Sequence, residues 1–220
     1  MIKAIIFDVD NTLIDFMKMK RHSCEAAMDA MIDAGLQMKK EAGMKLLFEL
    51  YDVYGIEDRT IFQRFLSKVH RKIDPRILAH GIVAYRKVKA GVMTPYPRVR
   101  STLTRLKERG IKLCIVSDAP QMRAWIRLAA TDIDHFFDVV VTYEDTKKYK
   151  PNKKPFLVAL KKLGLKPEQC LMVGDNPTKD IKGGKQMGMK TCLARYGNLW
   201  KEKFKADYEI DSIDELLMIV

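Results

Sequence analysis

Apolar positions along this chain follow two rhythms. Short continuous runs, rich in β-branched residues, stand at residues 3–7, 112–116, 138–142, 170–173 and 190–194. Runs of this length and texture predict strands buried on both faces of a parallel sheet. Helical spacing is found over residues 98–109, ended by Gly110, over residues 120–130, in a segment ending near Gly164, and in another running to about Met187. Residues 208–217 form a last element. Strands alternating with helices of about 10–15 residues imply right-handed crossovers and one parallel sheet.

Residues 15–93 interrupt that alternation directly after the first strand. They hold helix formers at helical spacing, part of the chain's methionine content and no strand-like run, and Gly35, Gly55 and Asp74-Pro75 divide them. This predicts about four helices. Leu46, Leu47, Leu50 and Tyr54 form one apolar stripe, and Ile61, Phe62, Phe65, Leu66 and Val69 another. The expected architecture is α/β: a Rossmann-like, doubly wound parallel sheet core from residues 1–14 and 94–220, with a helical domain inserted over residues 15–93. A chain of 220 residues buries roughly 70% of its unfolded surface and needs no disulfide or structural metal to fold.

Charge and cysteine content change this picture little. Forty Lys and Arg stand against 28 Asp and Glu, a formal charge of +12. The basic residues are scattered among acids along the chain, which fits a solvated surface better than a nucleic-acid-binding stripe. Lys20, Arg21 and His22, early in the insert, are read as exposed. Cys24, Cys114, Cys170 and Cys192 lie far apart with no metal-finger spacing, so they are expected to be small buried hydrophobes. No secretory signal or membrane-spanning run is visible. The expectation is a soluble, cytoplasmic, thiol-reduced protein with no nucleic-acid or membrane partner; monomer and homodimer stay open.

The chemistry is expected where the strands end, because ligands of doubly wound sheets bind beyond the carboxyl edge. Asp8-Val9-Asp10-Asn11-Thr12 follows the first run, Ser117 and Asp118 the second, and Gly174-Asp175 the fourth, with Asp180 five residues on; Lys150-Pro151 falls in the loop after the third. Asp8 and Asp10 alternate with Val9 and so share one side of extended chain. Asp175 brings a third carboxylate. Charges so close repel, unless protons or a cation intervene. Mg²⁺ suits a few carboxylate oxygens plus water, whereas zinc would be expected to recruit Cys or His. Thr12 and Ser117 then offer hydroxyls, and Lys150 a positive charge, to an anion such as a phosphate ester.

These segments resemble the four motifs of the haloacid dehalogenase-like hydrolase superfamily, in the family's order and over nearly the whole chain. Asp8 to Thr12 resembles its DxDxT signature, Ser117 its second motif, Lys150-Pro151 its third, and Gly174-Asp175 with Asp180 its GDxxxxD fourth. The resemblance implies a Mg²⁺-dependent phosphatase acting on a small phosphate monoester, such as a sugar or glycolytic phosphate or a phosphoglycolate-like compound. It implies Asp8 as nucleophile and metal ligand, and Asp10 as general acid/base with its main-chain carbonyl on the metal. Thr12, Ser117, Asp118 and Lys150 would be phosphate-binding, and Asp175 and Asp180 would complete the metal set. Asp118 departs from the amide or small residue usual after the second-motif Ser, and Lys153-Lys154 replace the usual Pro-containing spacing. The insert resembles the family's small helical cap. A phosphomutase or dehalogenase of the same family remains an alternative, as does a non-enzymatic phospho-receiver; dehalogenating members lack the second Asp of the first motif.

Overall fold

The computed structural model describes residues 1–70, 72–200 and 204–220. It divides into two compact units: residues Met1–Phe16 with Met93–Val220, and residues Met17–Val92.

The first unit is built on a six-stranded sheet. Its strands are β1 (Ala4–Phe7), β2 (Lys112–Val116), β3 (Val139–Val141), β4 (Cys170–Gly174), β5 (Lys190–Ala194) and β6 (Tyr208–Ile210). They lie in the order β3-β2-β1-β4-β5-β6, and all five pairings are parallel. This is a doubly wound sheet whose strand order reverses at β1. Helices α5 (Val99–Glu108), α6 (Gln121–Ala130), α7 (Tyr143–Thr146), α8 (Lys153–Leu163), α9 (Lys182–Gln186) and α10 (Leu216–Ile219) complete it, with a π-helical turn at Pro177–Ile181. Alternate residues of β1 and β2, with Cys170 and Met172 of β4, pack against Phe156, Ala159, Leu160 and Leu163 of α8. Gly183 and Gly184 of α9 serve this packing: a Cβ on Gly184 would stand 2.9 Å from Met172 and Thr191 side-chain atoms.

The register matters for function. Phe7 pairs with Ile115 on one side and with Val173 on the other. The carboxyl ends of β1, β2 and β4 are therefore level, and the residues that follow them emerge at one edge of the sheet.

Among the described residues the second unit contains four helices: α1, which begins at the junction (Phe16–Asp33), α2 (Lys40–Tyr54), α3 (Ile61–Val69) and α4 (Pro75–Val92). Met28, Met31, Leu47, Leu50, Tyr51, Phe62, Phe65 and Leu66 belong to its core. Two expectations are corrected here. The α2 stripe runs through Leu47, Leu50 and Tyr51, because 47 to 51 is one helical turn; Tyr54 is exposed and its ring lies 4.0 Å from the Arg64 guanidinium. Lys20 is buried rather than exposed. Its ammonium lies 4.1 Å from the Tyr51 ring centroid and donates to the Tyr85 hydroxyl at 3.1 Å, so aromatic faces and a phenol replace water around it. Among the described residues no helix is long and apolar enough to cross a membrane. All four cysteines are buried and free.

Candidate active site

The residues that follow the level strand ends converge. Asp8 leaves β1 with its N–H donating to Val173 O at 3.0 Å, and Ser117 leaves β2 with its N–H donating to Val141 O at 2.9 Å. After Asp8 the chain makes a tight turn, with Leu13 N–H donating to Val9 O at 2.9 Å. Asn11 adopts φ 60° in it, a left-handed conformation that asparagine tolerates better than most residues. The turn is held from across the sheet. The Tyr196 hydroxyl donates to Thr12 O at 2.7 Å, and Gly197 packs so closely that an added Cβ would overlap Asn11 O, at 1.6 Å.

Three carboxylates meet at this edge. Oxygens of Asp8, Asp175 and Asp180 all lie within 4.8 Å of one another. Lys150 is placed between two of them, its ammonium 2.5 Å from Asp8 Oδ1 and 2.7 Å from Asp180 Oδ1. Asp180 is buried on the π-helical turn, where its Oδ2 accepts the Asn176 N–H at 3.1 Å. Gly174 makes room for it: a Cβ there would stand 2.3 Å from Asp180 Oδ2.

Charge balance decides what this cluster can hold. Burial works against the Lys150 charge, but the carboxylates of Asp180, Asp8 and Asp118 outweigh it and hold the ammonium well above its usual range. One ammonium does not satisfy three acids. Burial, with Asp8 and Asp180 beside it, pushes Asp175 up to about 8. Burial likewise pushes Asp180 up to about 6, against the pull of Lys150. An all-carboxylate set carrying this excess negative charge fits a hard divalent cation. Asp8, Asp175 and Asp180 would supply the side-chain oxygens.

A pH-dependent stability follows. Both acids bind their protons more tightly folded than unfolded, so their contribution is full below about pH 4 and is lost as pH rises through about 6 and then about 8. A divalent cation competes with those protons. At about 100 times its Kd, a divalent cation held by these carboxylates should raise Tm by roughly 5–10 °C at pH 8.5 and by much less near pH 5. Calorimetry with and without the ion at both pH values checks this; a gain that is absent, or larger at the acidic pH, would contradict it.

The other anticipated residues surround this centre. The Ser117 Oγ accepts the Ala119 N–H at 3.1 Å, keeping its own proton available to a ligand. Thr12 is fully buried, and its Oγ accepts the Asp175 N–H at 3.1 Å while donating to Asp175 Oδ1 at 3.4 Å. Its hydroxyl is thus spent on holding Asp175. Asp118 accepts the Lys150 N–H at 2.8 Å and pairs with Lys179 at 2.9 Å, fastening the Lys150 loop. The Lys150–Pro151 bond is cis. Lys153 and Lys154 are exposed. The Asp10 carboxylate stands outside the triple cluster, its Oδ2 3.0 Å from Arg127 Nη1. Arg127 and Trp200, whose indole N–H donates to Asp175 Oδ2 at 3.3 Å, are contacts that sequence reasoning missed. Only Arg127 left a signal, a charge standing in the apolar face of a helix.

The profile of the haloacid dehalogenase-like hydrolases matches residues 5–194, from the first strand to the end of the fifth. The chain belongs to this family. Among curated relatives of this hydrolase is the glyceraldehyde 3-phosphate phosphatase of Methanocaldococcus jannaschii, 36% identical over 223 residues that cover 100% of this chain and 97% of the relative. The pyrophosphatase PpaX of Halalkalibacterium halodurans is 36% identical over 162 residues, 70% of this chain and 75% of its own. A solved haloacid dehalogenase-like phosphatase from Thermococcus onnurineus superposes with a TM-score of 0.74 at 27% identity, over 99% of this chain and 97% of that one. The hydrolase thus shares its fold and most of its length with phosphatases.

Proposed function

We propose that this hydrolase is a Mg²⁺-dependent phosphatase that cleaves a small phosphate monoester through an aspartyl-phosphate on Asp8. The observation that carries the reading is the Asp8–Lys150–Asp180 arrangement beside Asp175, a nucleophile-competent carboxylate held in a site whose acids outnumber its fixed cations. Lys150 grips one oxygen of Asp8, and the other oxygen attacks phosphorus. The P–O bond to the leaving group breaks, and Asp10 delivers a proton to the departing oxygen. Water then attacks the phosphorus of the aspartyl-phosphate, Asp10 takes its proton, and the P–O bond to Asp8 breaks to release inorganic phosphate. The Ser117 hydroxyl and the Lys150 ammonium stabilise the transferring phosphoryl group, while Thr12 and Asp118 hold Asp175 and the Lys150 loop. Mg²⁺, when bound, neutralises the carboxylates and the phosphoryl oxygens. The helical unit Met17–Val92 is the candidate specificity cap.

Glyceraldehyde 3-phosphate heads the substrate class, on the strength of full-length similarity to phosphatases named for it. Phosphate release is to be measured with Mg²⁺ or with chelator over triose phosphates, hexose phosphates, phosphoglycolate and pyrophosphate. The expected result is Mg²⁺-dependent release from a triose phosphate at least about tenfold faster, by kcat/KM, than from pyrophosphate. Chelator-resistant release, or isomerised product without free phosphate, would overturn the reading.

A further inference from the structure

Helix α6 turns Ala124 and Leu128 into the core, and Arg127 stands in that same face with only 5% of its side chain exposed. A guanidinium gives up much hydration to sit there, and is rarely found so buried without a partner. It is held on two sides. Its Nη1 lies 3.0 Å from Asp10 Oδ2, and its central carbon lies 4.7 Å from the centroid of the Phe16 ring. Its own backbone is fixed as well: the Thr131 hydroxyl donates to Arg127 O at 2.7 Å, and Arg100 Nη2 donates to Thr131 O at 2.8 Å. The Asp10 side chain is 27% exposed. The pair therefore has a fixed inner member and an outer member that is partly accessible, with its Oδ1 turned inward.

We infer that Arg127 is a positioning residue that, by holding Oδ2 of Asp10, aims the other oxygen of that carboxyl group, which carries the proton, at the leaving-group oxygen. The inference rests on the reading of Asp10 as the proton donor and adds the group that directs it. Asp8 needs no such device, because its direction is set by the end of β1 and by Lys150. Asp10 lies two residues further on, in the turn, where the backbone alone does not fix its side chain. A guanidinium anchored on a helix and stacked on a ring constrains its Oδ2 from the α6 side.

The test uses leaving-group dependence, which a purely structural role would not produce. An alkyl phosphate such as glycerol 3-phosphate needs its departing oxygen protonated, whereas p-nitrophenyl phosphate does not. In kcat/KM, which covers the steps through leaving-group departure, Arg127→Met should lose about 100-fold on the alkyl ester. It should lose no more than about fivefold on the aryl ester. Asp10→Asn should show the same bias more strongly, and the double variant should be no worse than Asp10→Asn alone, since both changes remove one function. Arg127→Lys, which keeps the buried charge, should show the bias with about a tenfold loss, and it carries the test if Arg127→Met does not fold by circular dichroism. Equal losses on both esters, or a double variant that multiplies the two single effects, would overturn the role of Arg127. An Asp10→Asn enzyme without leaving-group bias would instead overturn the reading of Asp10 itself.

Discussion

Asp8→Asn is expected to lower turnover by at least about 10⁴-fold while leaving the circular dichroism spectrum and the melting cooperativity of the protein unchanged. The amide is nearly isosteric with the carboxylate, so β1 and its register with β2 and β4 lose nothing in packing. What is lost is the nucleophile. An amide oxygen attacks phosphorus poorly, and the water-only reaction it leaves behind is among the slowest known. The Lys150 ammonium, 2.5 Å from Asp8 Oδ1 in the native protein, keeps Asp180 as its partner in the variant, which is why the fold should tolerate the change. Steady-state phosphate release from the phosphate ester that the native enzyme cleaves fastest is the measurement. Activity within tenfold of native would require a nucleophile other than Asp8.

Lys150→Met is expected to have the second-largest effect, on activity and stability together. Its ammonium pairs with both Asp8 and Asp180. Removing one partner from a buried ionic cluster costs about 3–5 kcal/mol. For a chain of this size that corresponds to a fall in Tm of about 10 °C. Turnover should fall by about 10³-fold, in line with the loss of one preorganised charge on the transferring group. The stability loss should be larger near pH 8 than near pH 5. Asp180, pushed up to about 6 even with Lys150 present, can take a proton at the lower pH and so shed the uncompensated charge. Calorimetry at both pH values reads this directly. A loss of less than about 1 kcal/mol near pH 8 would mean that Lys150 balances no charge in the folded state.

Much of the fold was visible in the chain because parallel strands are buried on both faces and so read as unbroken apolar runs. β2 at Lys112–Val116 and β5 at Lys190–Ala194 have the expected bounds for that reason. The acidic centre was visible in part, because the strand ends are where a doubly wound sheet binds ligands and Asp8 and Asp175 follow apolar runs there. Strand alternation put the Asp10 carboxylate with them, whereas the turn after β4 brings Asp180 into that place and Asp10 lies against Arg127. The features that escaped depend on contacts distant in sequence. Lys20 and Arg127 both lie on helices, where charged residues are by default assigned to water, a default that only the apolar neighbours Ala124 and Leu128 of Arg127 speak against. Each is buried because aromatic rings from elsewhere in its own unit accept the cation. The Thr12 hydroxyl was matched to an anion, but the approach of β4 to the turn after β1 gives it to Asp175 instead. Gly174 stands in the fourth motif, but no chemistry of its own explains it there. Its role emerges only once Asp180 is seen to occupy the space of a Cβ.

The central claim is that Asp8 becomes transiently phosphorylated. The most direct measurement is acid quenching of the working enzyme in its first turnovers, followed by peptide mapping by mass spectrometry. The account predicts a phosphoryl adduct on the peptide containing Asp8, formed with Mg²⁺ and missing from Asp8→Asn. An adduct on a different residue, or full turnover with Asp8 unmodified throughout, would contradict it.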